Sequence, residues 1–229
     1  DTVDHMAVLF PFEEKLYHQE QVPATFVGHP LTAVARPSMS KEQAYEYFNC
    51  NPAHPVIGLF PGSRPQEITT LLPILAKAIP LVERTLPDAQ WLLPVAPHID
   101  TDQLRRQLPD HIQLTHSHLY DAMHICDAAI AVSGTITLEL ALMKTPLTLL
   151  YKTQWLTYQI GKRVIRTPWI GLCNIIAQDT IAAAYLQHDA SPENLAREIV
   201  QLITNSSYRE KRLSQLQSMR NNLGAGVDH

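Results

Sequence analysis

The chain has 229 residues, 45% of them hydrophobic and 17% charged, with a formal net charge of −4. That length can bury a large core, and the near-neutral balance excludes a general electrostatic affinity for nucleic acid. No apolar run reaches the roughly 18 to 20 residues of a membrane span, and Asp1, Asp4, His5 and Glu13 interrupt anything resembling a signal peptide.

In chain order, apolar strands are expected over residues 3–9 and 25–27, followed by the polar, proline-containing stretch "GHPLTAVARPSMS" over 28–40, which reads as a linker. Beyond it, strands are expected over 56–60, 90–95, 112–114, 128–132 and 147–150. Helices are expected over 41–48, 67–84, 101–107, 120–125, 135–142, 156–164, 192–203 and 208–221. Near-continuous apolar strands alternating with helices specify a Rossmann-like, doubly wound parallel sheet covered on both faces. The division that follows is a remnant of a preceding domain over 1–27, the linker 28–40, one large domain over 41–222 and a short tail over 223–229. The sequence begins without Met and ends on "GAGVDH" without a closing helix, so it reads as part of a longer chain. Its three cysteines, Cys50, Cys126 and Cys173, are odd in number and widely spaced, which suggests a reducing, cytoplasmic setting.

Two strand-to-helix turns carry unusual chemistry, and ligands of such sheets sit outside the carboxyl ends of the strands. The first turn is "LFPGSRPQEI". Gly62 permits a sharp turn, Ser63 offers a hydroxyl and Arg64 a planar fork suited to phosphate oxygens. Pro65 and Glu67 suit the start of a helix, so a merely capped helix end is the plain alternative. The second turn is "SGTITLE", where Ser133, Gly134 and Thr135 would offer N–H groups and hydroxyls to an anion. Glu139 follows Thr135 by four residues and shares its helix face. A carboxylate there would repel phosphate but could accept hydrogen bonds from a ribose. Together the two turns point to a nucleotide with its diphosphate at the turns and its sugar one step further on.

The segments "VDHMAVLFPFE", "TFVGHPL", "GLFPGSRPQEI", "SGTITLELAL" and "NIIA…YLQ" stand in the order and spacing of bacterial lipid A disaccharide synthases, which this chain resembles over nearly its whole length. The resemblance implies the donor-binding, C-terminal domain of a GT-B glycosyltransferase plus the last strand of the N-terminal domain. It implies transfer of 2,3-diacylglucosamine from UDP-2,3-diacylglucosamine to 2,3-diacylglucosamine 1-phosphate (lipid X), at the inner face of the bacterial inner membrane. By the same resemblance, Gly62, Ser63, Arg64, Ser133, Gly134 and Thr135 would hold the UDP diphosphate and Glu139 the uridine ribose. Asn174 and Gln187 would lie near the sugar, and the general base would lie in the domain that is absent. No cofactor and no metal are implied, and a homodimer or domain-swapped oligomer is a possible assembly.

The sequence departs from the family pattern at two places. Ala182-Ala183-Ala184 stands where an acidic pair is usual, and Cys173 where a proline precedes the asparagine. Three other features imitate sites. "DTD" over 100–102 resembles a metal motif but is expected to cap a helix. His116, His118, His124 and Cys126 lack the spacing of a zinc site. Trp155, Tyr158, Lys162, Arg163, Arg166 and Trp169 form a basic, aromatic segment that reads as a half-buried surface helix or as a contact with an anionic membrane. Rival readings are another UDP-sugar GT-B enzyme, or a UDP-sugar-binding module without catalysis.

Overall fold

A computed structural model describes residues 3–152 and 169–224. The helix expected over 156–164, and with it all of the basic aromatic segment but Trp169, lies outside the described residues, as do residues 225–229 of the tail.

The chain opens with β1 (Met6–Val8) and β2 (Ala24–Phe26), which pair in parallel as a separate two-stranded sheet, joined by α1 (Pro11–Gln19). The strand expected over 3–9 shrinks to three residues because its partner offers only three to pair with. Helix α1 was not among the expected elements, yet its signals are present. Pro11 stands at the first turn, and Glu13 accepts from the N–H groups of Leu9 and Phe10.

The expected linker is not a free tether. It contains a short helix, α2 (Leu31–Val34), and Ala35 is only 1% exposed in the core. Its far end is fastened by Asp121, which accepts from Ser38 N, Ser38 Oγ and Met39 N at 2.7 Å each. Burial raises the pKa of Asp121, but these hydrogen bonds outweigh it, so the carboxyl is held below its ordinary range.

The main sheet has six parallel strands in the order β5-β4-β3-β6-β7-β8. These are β3 (Val56–Phe60), β4 (Gln90–Pro94), β5 (Gln113–Thr115), β6 (Ala128–Val132), β7 (Leu147–Tyr151) and β8 (Ala183–Leu186). Around them lie α3 (Lys41–Tyr47), α4 (Pro65–Glu83), α5 (Thr101–Arg105), α6 (Leu119–Ile125), α7 (Thr135–Leu142), α8 (Leu172–Ala177), α9 (Pro192–Thr204) and α10 (Ser206–Gly224). The pleat divides the core. Ala128, Ile130 and Val132 of β6 join the cluster under α4 and α9, while Ala129 and Ala131 join the one under α7 and α10. Helix α4 anchors the first face with Ile68, Leu71, Leu72, Leu75 and Ile79. Each is nearly inaccessible, and each such burial contributes about 1.5–3 kcal/mol.

Helix α8 and strand β8 are also absent from the sequence reading. Alanines carry little strand preference, and "AAYL" becomes a strand because it pairs in register with β7, Thr148 opposite Ala183. Two of the three alanines thus open an edge strand, and Ala182, just before it, is fully buried.

Candidate functional site

The chain runs outward through β3, β4 and β5, then returns to place β6 against the other side of β3. From there β7 and β8 continue in the opposite direction. The sheet therefore has its topological switch between β3 and β6, where connections diverge and leave a crevice beyond the strand ends. The two turns singled out in the sequence are the ones that leave β3 and β6. They line one cleft of about 410 Å³, with Gly62, Ser63, Arg64 and Glu67 on one side and Ser133, Gly134, Thr135 and Glu139 on the other. Phe60, Pro94, Leu119, Val132 and Ile136 supply its apolar surface.

The simple capping alternative can be tested on the helices themselves. Helices α3, α5 and α9 are capped by their own Ser40, Asp100 and Ser191, each accepting from a first-turn N–H. Asp100 of the "DTD" motif therefore caps, as expected. Neither α4 nor α7 has a side-chain cap. Helices α1, α2, α6 and α8 also lack one, but the starts of α4 and α7 are the ones that line this cleft. They do so through Arg64 and Glu67 in one and Thr135, Ile136 and Glu139 in the other, where a helix N-terminus favours a bound anion.

The first turn is tightly specified. Gly62 has φ +97°, and a Cβ there would come within 2.7 Å of Glu67 Oε2 and 3.0 Å of Val132 Cγ1. Arg64 is largely exposed and pairs with Glu67 at 3.1 Å. An exposed pair of this kind contributes little, so the guanidinium can turn to another anion at small cost. His98, which the sequence reading missed, donates from Nε2 to the carbonyl of Ser63 at 2.6 Å and braces the turn from the loop after β4.

At the second turn, a Cβ on Gly134 would meet nothing within 4 Å, so the backbone there borders open space. Glu139 is half-buried one turn into α7, and the hydroxyl of Tyr120 donates to its Oε1 at 2.9 Å. Burial pushes the Glu139 pKa up, partly offset by that hydrogen bond. Burial and the same carboxylate push Tyr120 to about 12, so it remains a neutral donor at physiological pH.

Asn174 and Gln187 are not among the residues lining this cleft. The Asn174 side chain is 2% exposed and fully engaged. Its Nδ2 donates to the carbonyls of Ile170 and Ala182, and its Oδ1 accepts from the N–H groups of Ile181 and Ala182. Gln187 follows β8 with φ +50°, and its Nε2 is buried without a hydrogen-bond partner. Among the described residues, no group of three or more His, Cys, Asp or Glu side chains could hold a metal ion. Cys126 instead donates to the Ala122 carbonyl, and His118 lies 3.4 Å from Asp121.

A sequence model of the family described as Lipid-A-disaccharide synthetase matches residues 1–227. The chain belongs to the lipid-A-disaccharide synthetase family. The lipid-A-disaccharide synthase of Coxiella burnetii (strain Dugway 5J108-111) is 43% identical over 224 residues, covering 98% of this chain and 60% of that protein. Its counterpart in Geobacter sulfurreducens (strain ATCC 51573 / DSM 12127 / PCA) is 41% identical over 227 residues, covering 98% and 59%. The chain thus spans about 60% of the length of these family members. Among solved structures it is similar to a UDP-GlcNAc 2-epimerase from Neisseria meningitidis bound to UDP-GlcNAc, with TM-score 0.65, 13% identity, and 97% and 60% of the two chains covered. It is also similar to the MnaA–UDP co-structure from S. aureus, with TM-score 0.65, 13% identity, and 97% and 56% covered. At such identities the likeness speaks for the fold alone, and that fold is the doubly wound α/β architecture expected from the sequence.

Proposed function

We propose that this chain is the donor-binding portion of a GT-B lipid-A-disaccharide synthase. That enzyme transfers 2,3-diacylglucosamine from UDP-2,3-diacylglucosamine to lipid X, giving the disaccharide 1-phosphate and UDP. The observation that carries the reading is the convergence of two uncapped helix ends, Arg64 and Glu139 on one cleft at the switch point, in a chain of this family. In this reading residues 1–27 belong to the acceptor domain, 28–40 connect the two domains, 41–222 bind the donor, and 223–229 form a tail. The enzyme works as a peripheral protein on the cytoplasmic face of the inner membrane, where its lipid substrates reside. The β1–β2 pair is completed by the portion of the relatives not spanned here, or by a second copy, since two strands alone are marginal.

The chemistry asked of these residues is stabilisation of a leaving group. The bond from the sugar C1 to the diphosphate oxygen breaks as the acceptor hydroxyl attacks the opposite face and gives its proton to a general base expected in the acceptor domain, so configuration inverts. The charge released on UDP is met by Arg64 and the helix N–H groups, with no step that requires a metal. Ser63 and Ser133 add hydroxyl donors, and Glu139 accepts from the ribose. The unpartnered Nε2 of Gln187 is a buried donor whose desolvation an acceptor on the donor sugar would offset. Asn174 shapes the backbone beneath rather than touching the sugar.

Calorimetric titration of UDP tests the reading. Arg64→Ala should weaken UDP by about 1.5–3 kcal/mol, the scale of a charge-assisted hydrogen bond. Unchanged affinity would remove Arg64 from the site. The 229-residue chain should also bind UDP yet transfer no labelled diacylglucosamine, because half of a cleft neither aligns an acceptor nor excludes water. Measurable transfer by this chain would refute the division of labour between two domains.

A further inference from the structure

We propose that Tyr120 is a positioning residue for nucleoside recognition, its hydroxyl holding Glu139 by one carboxylate oxygen so that the other is presented to the cleft. The proposal rests on the reading of Glu139 as the ribose acceptor and concerns a residue that the two turns do not contain.

The geometry is specific. Tyr120 comes from α6 and Glu139 from α7, and the 2.9 Å hydrogen bond runs to Oε1, leaving Oε2 for a ligand. Both residues are half-buried, and the Tyr120 ring packs against the apolar core beneath α7. A glutamate side chain on a helix surface samples several rotamers, and ordering it on binding costs free energy. A partner that holds it in place beforehand removes much of that cost. The partner is itself anchored, because the next residue, Asp121, fastens α6 to Ser38 and Met39.

Tyr120 also acts on the charge of Glu139. Burial favours the neutral carboxyl, and the phenol hydrogen bond favours the carboxylate. Among the described residues, Tyr120 is the group that acts on the Glu139 carboxyl through a hydrogen bond. Arg64 and Glu67 pair with each other on the opposite side of the cleft from Glu139, and Arg220 of α10 donates to the Leu142 carbonyl at the far end of α7. Cys173 of α8 is a buried thiol raised to about 12. Removing the phenol hydroxyl therefore raises the Glu139 pKa further. More of the carboxyl is then protonated at a given pH, and the acid limb of UDP binding moves to higher pH.

The experiment compares Tyr120→Phe, Glu139→Gln and the double variant in the 229-residue chain, titrating UDP and pyrophosphate separately. Thermal unfolding confirms that each variant is folded. Tyr120→Phe should weaken UDP about three- to tenfold and leave pyrophosphate unchanged, the scale of one hydrogen bond. In the Glu139→Gln background the same change should add nothing further. Carboxyl ¹³C NMR of Glu139 should show its titration midpoint displaced upward in Tyr120→Phe. Additive losses in the double variant, equal losses for both ligands, or an unmoved midpoint would overturn the proposal. If Glu139→Gln alone leaves UDP affinity intact, the ribose reading fails and the positioning role falls with it, even where the midpoint moves.

Discussion

Gly62→Ala should weaken UDP binding at least about 30-fold while the chain still folds. The φ of +97° lies where L residues pay a steric penalty of about 1–2 kcal/mol. The added methyl would also meet two neighbours of different kinds. Glu67 Oε2 is the end of a flexible side chain and can swing away. Val132 Cγ1 cannot, because Val132 ends the buried strand β6 and is only 6% exposed. Overpacking against such an atom costs roughly 1–3 kcal/mol unless the backbone moves. The turn is the part free to move, and its movement carries Ser63 and Arg64 out of place and breaks the His98 contact to the Ser63 carbonyl. Strain is thus relieved at the expense of the site rather than the core. Titration calorimetry beside a urea unfolding curve separates the two. UDP affinity within about twofold of the unaltered chain would show that the turn's shape is not what binds.

The two turns were legible because each breaks an apolar strand with residues that have no packing role: Gly-Ser-Arg in one, Ser-Gly-Thr in the other. Their meeting was less legible. It depends on β3 and β6 being neighbours, a pairing set by the sheet order and not by either segment. For the same reason Tyr120 and His98 escaped notice, since each acts through a contact between elements distant in the chain. The missed helix α1 is a different failure, because its proline, acidic first turn and capping glutamate were all in view. Strand β8 could not be read from "AAYL", whose strand character comes from lying beside β7. Asn174 carries two readings. The resemblance implies a position near the sugar, while the hydrogen bonds of its amide are made to the protein's own backbone.

That last contrast yields the largest expected change in stability. Asn174→Ala should destabilise the chain by about 3–5 kcal/mol. The amide uses both donors and both acceptor positions on four backbone groups, joining α8 to the segment that leads into β8. Truncation would leave two N–H groups and two carbonyls to find other partners where Ile181 and Ala182 are 2% and 0% exposed. Each unsatisfied buried group costs about 1–3 kcal/mol, and local relaxation or an entering water brings the sum below simple addition. The loss is large beside the roughly 5–15 kcal/mol that separates most folded domains from their unfolded chains. Asn174→Asp should also destabilise, since it keeps the acceptor for Ile181 and Ala182 but loses both donors and buries a charge. Neither residue change touches the cleft lining, so the folded fraction should bind UDP nearly as before. Urea unfolding and UDP titration on the same preparations decide the matter. A stability loss below about 1 kcal/mol, or a large loss of UDP affinity at undiminished stability, would return Asn174 to the ligand and refute its structural role.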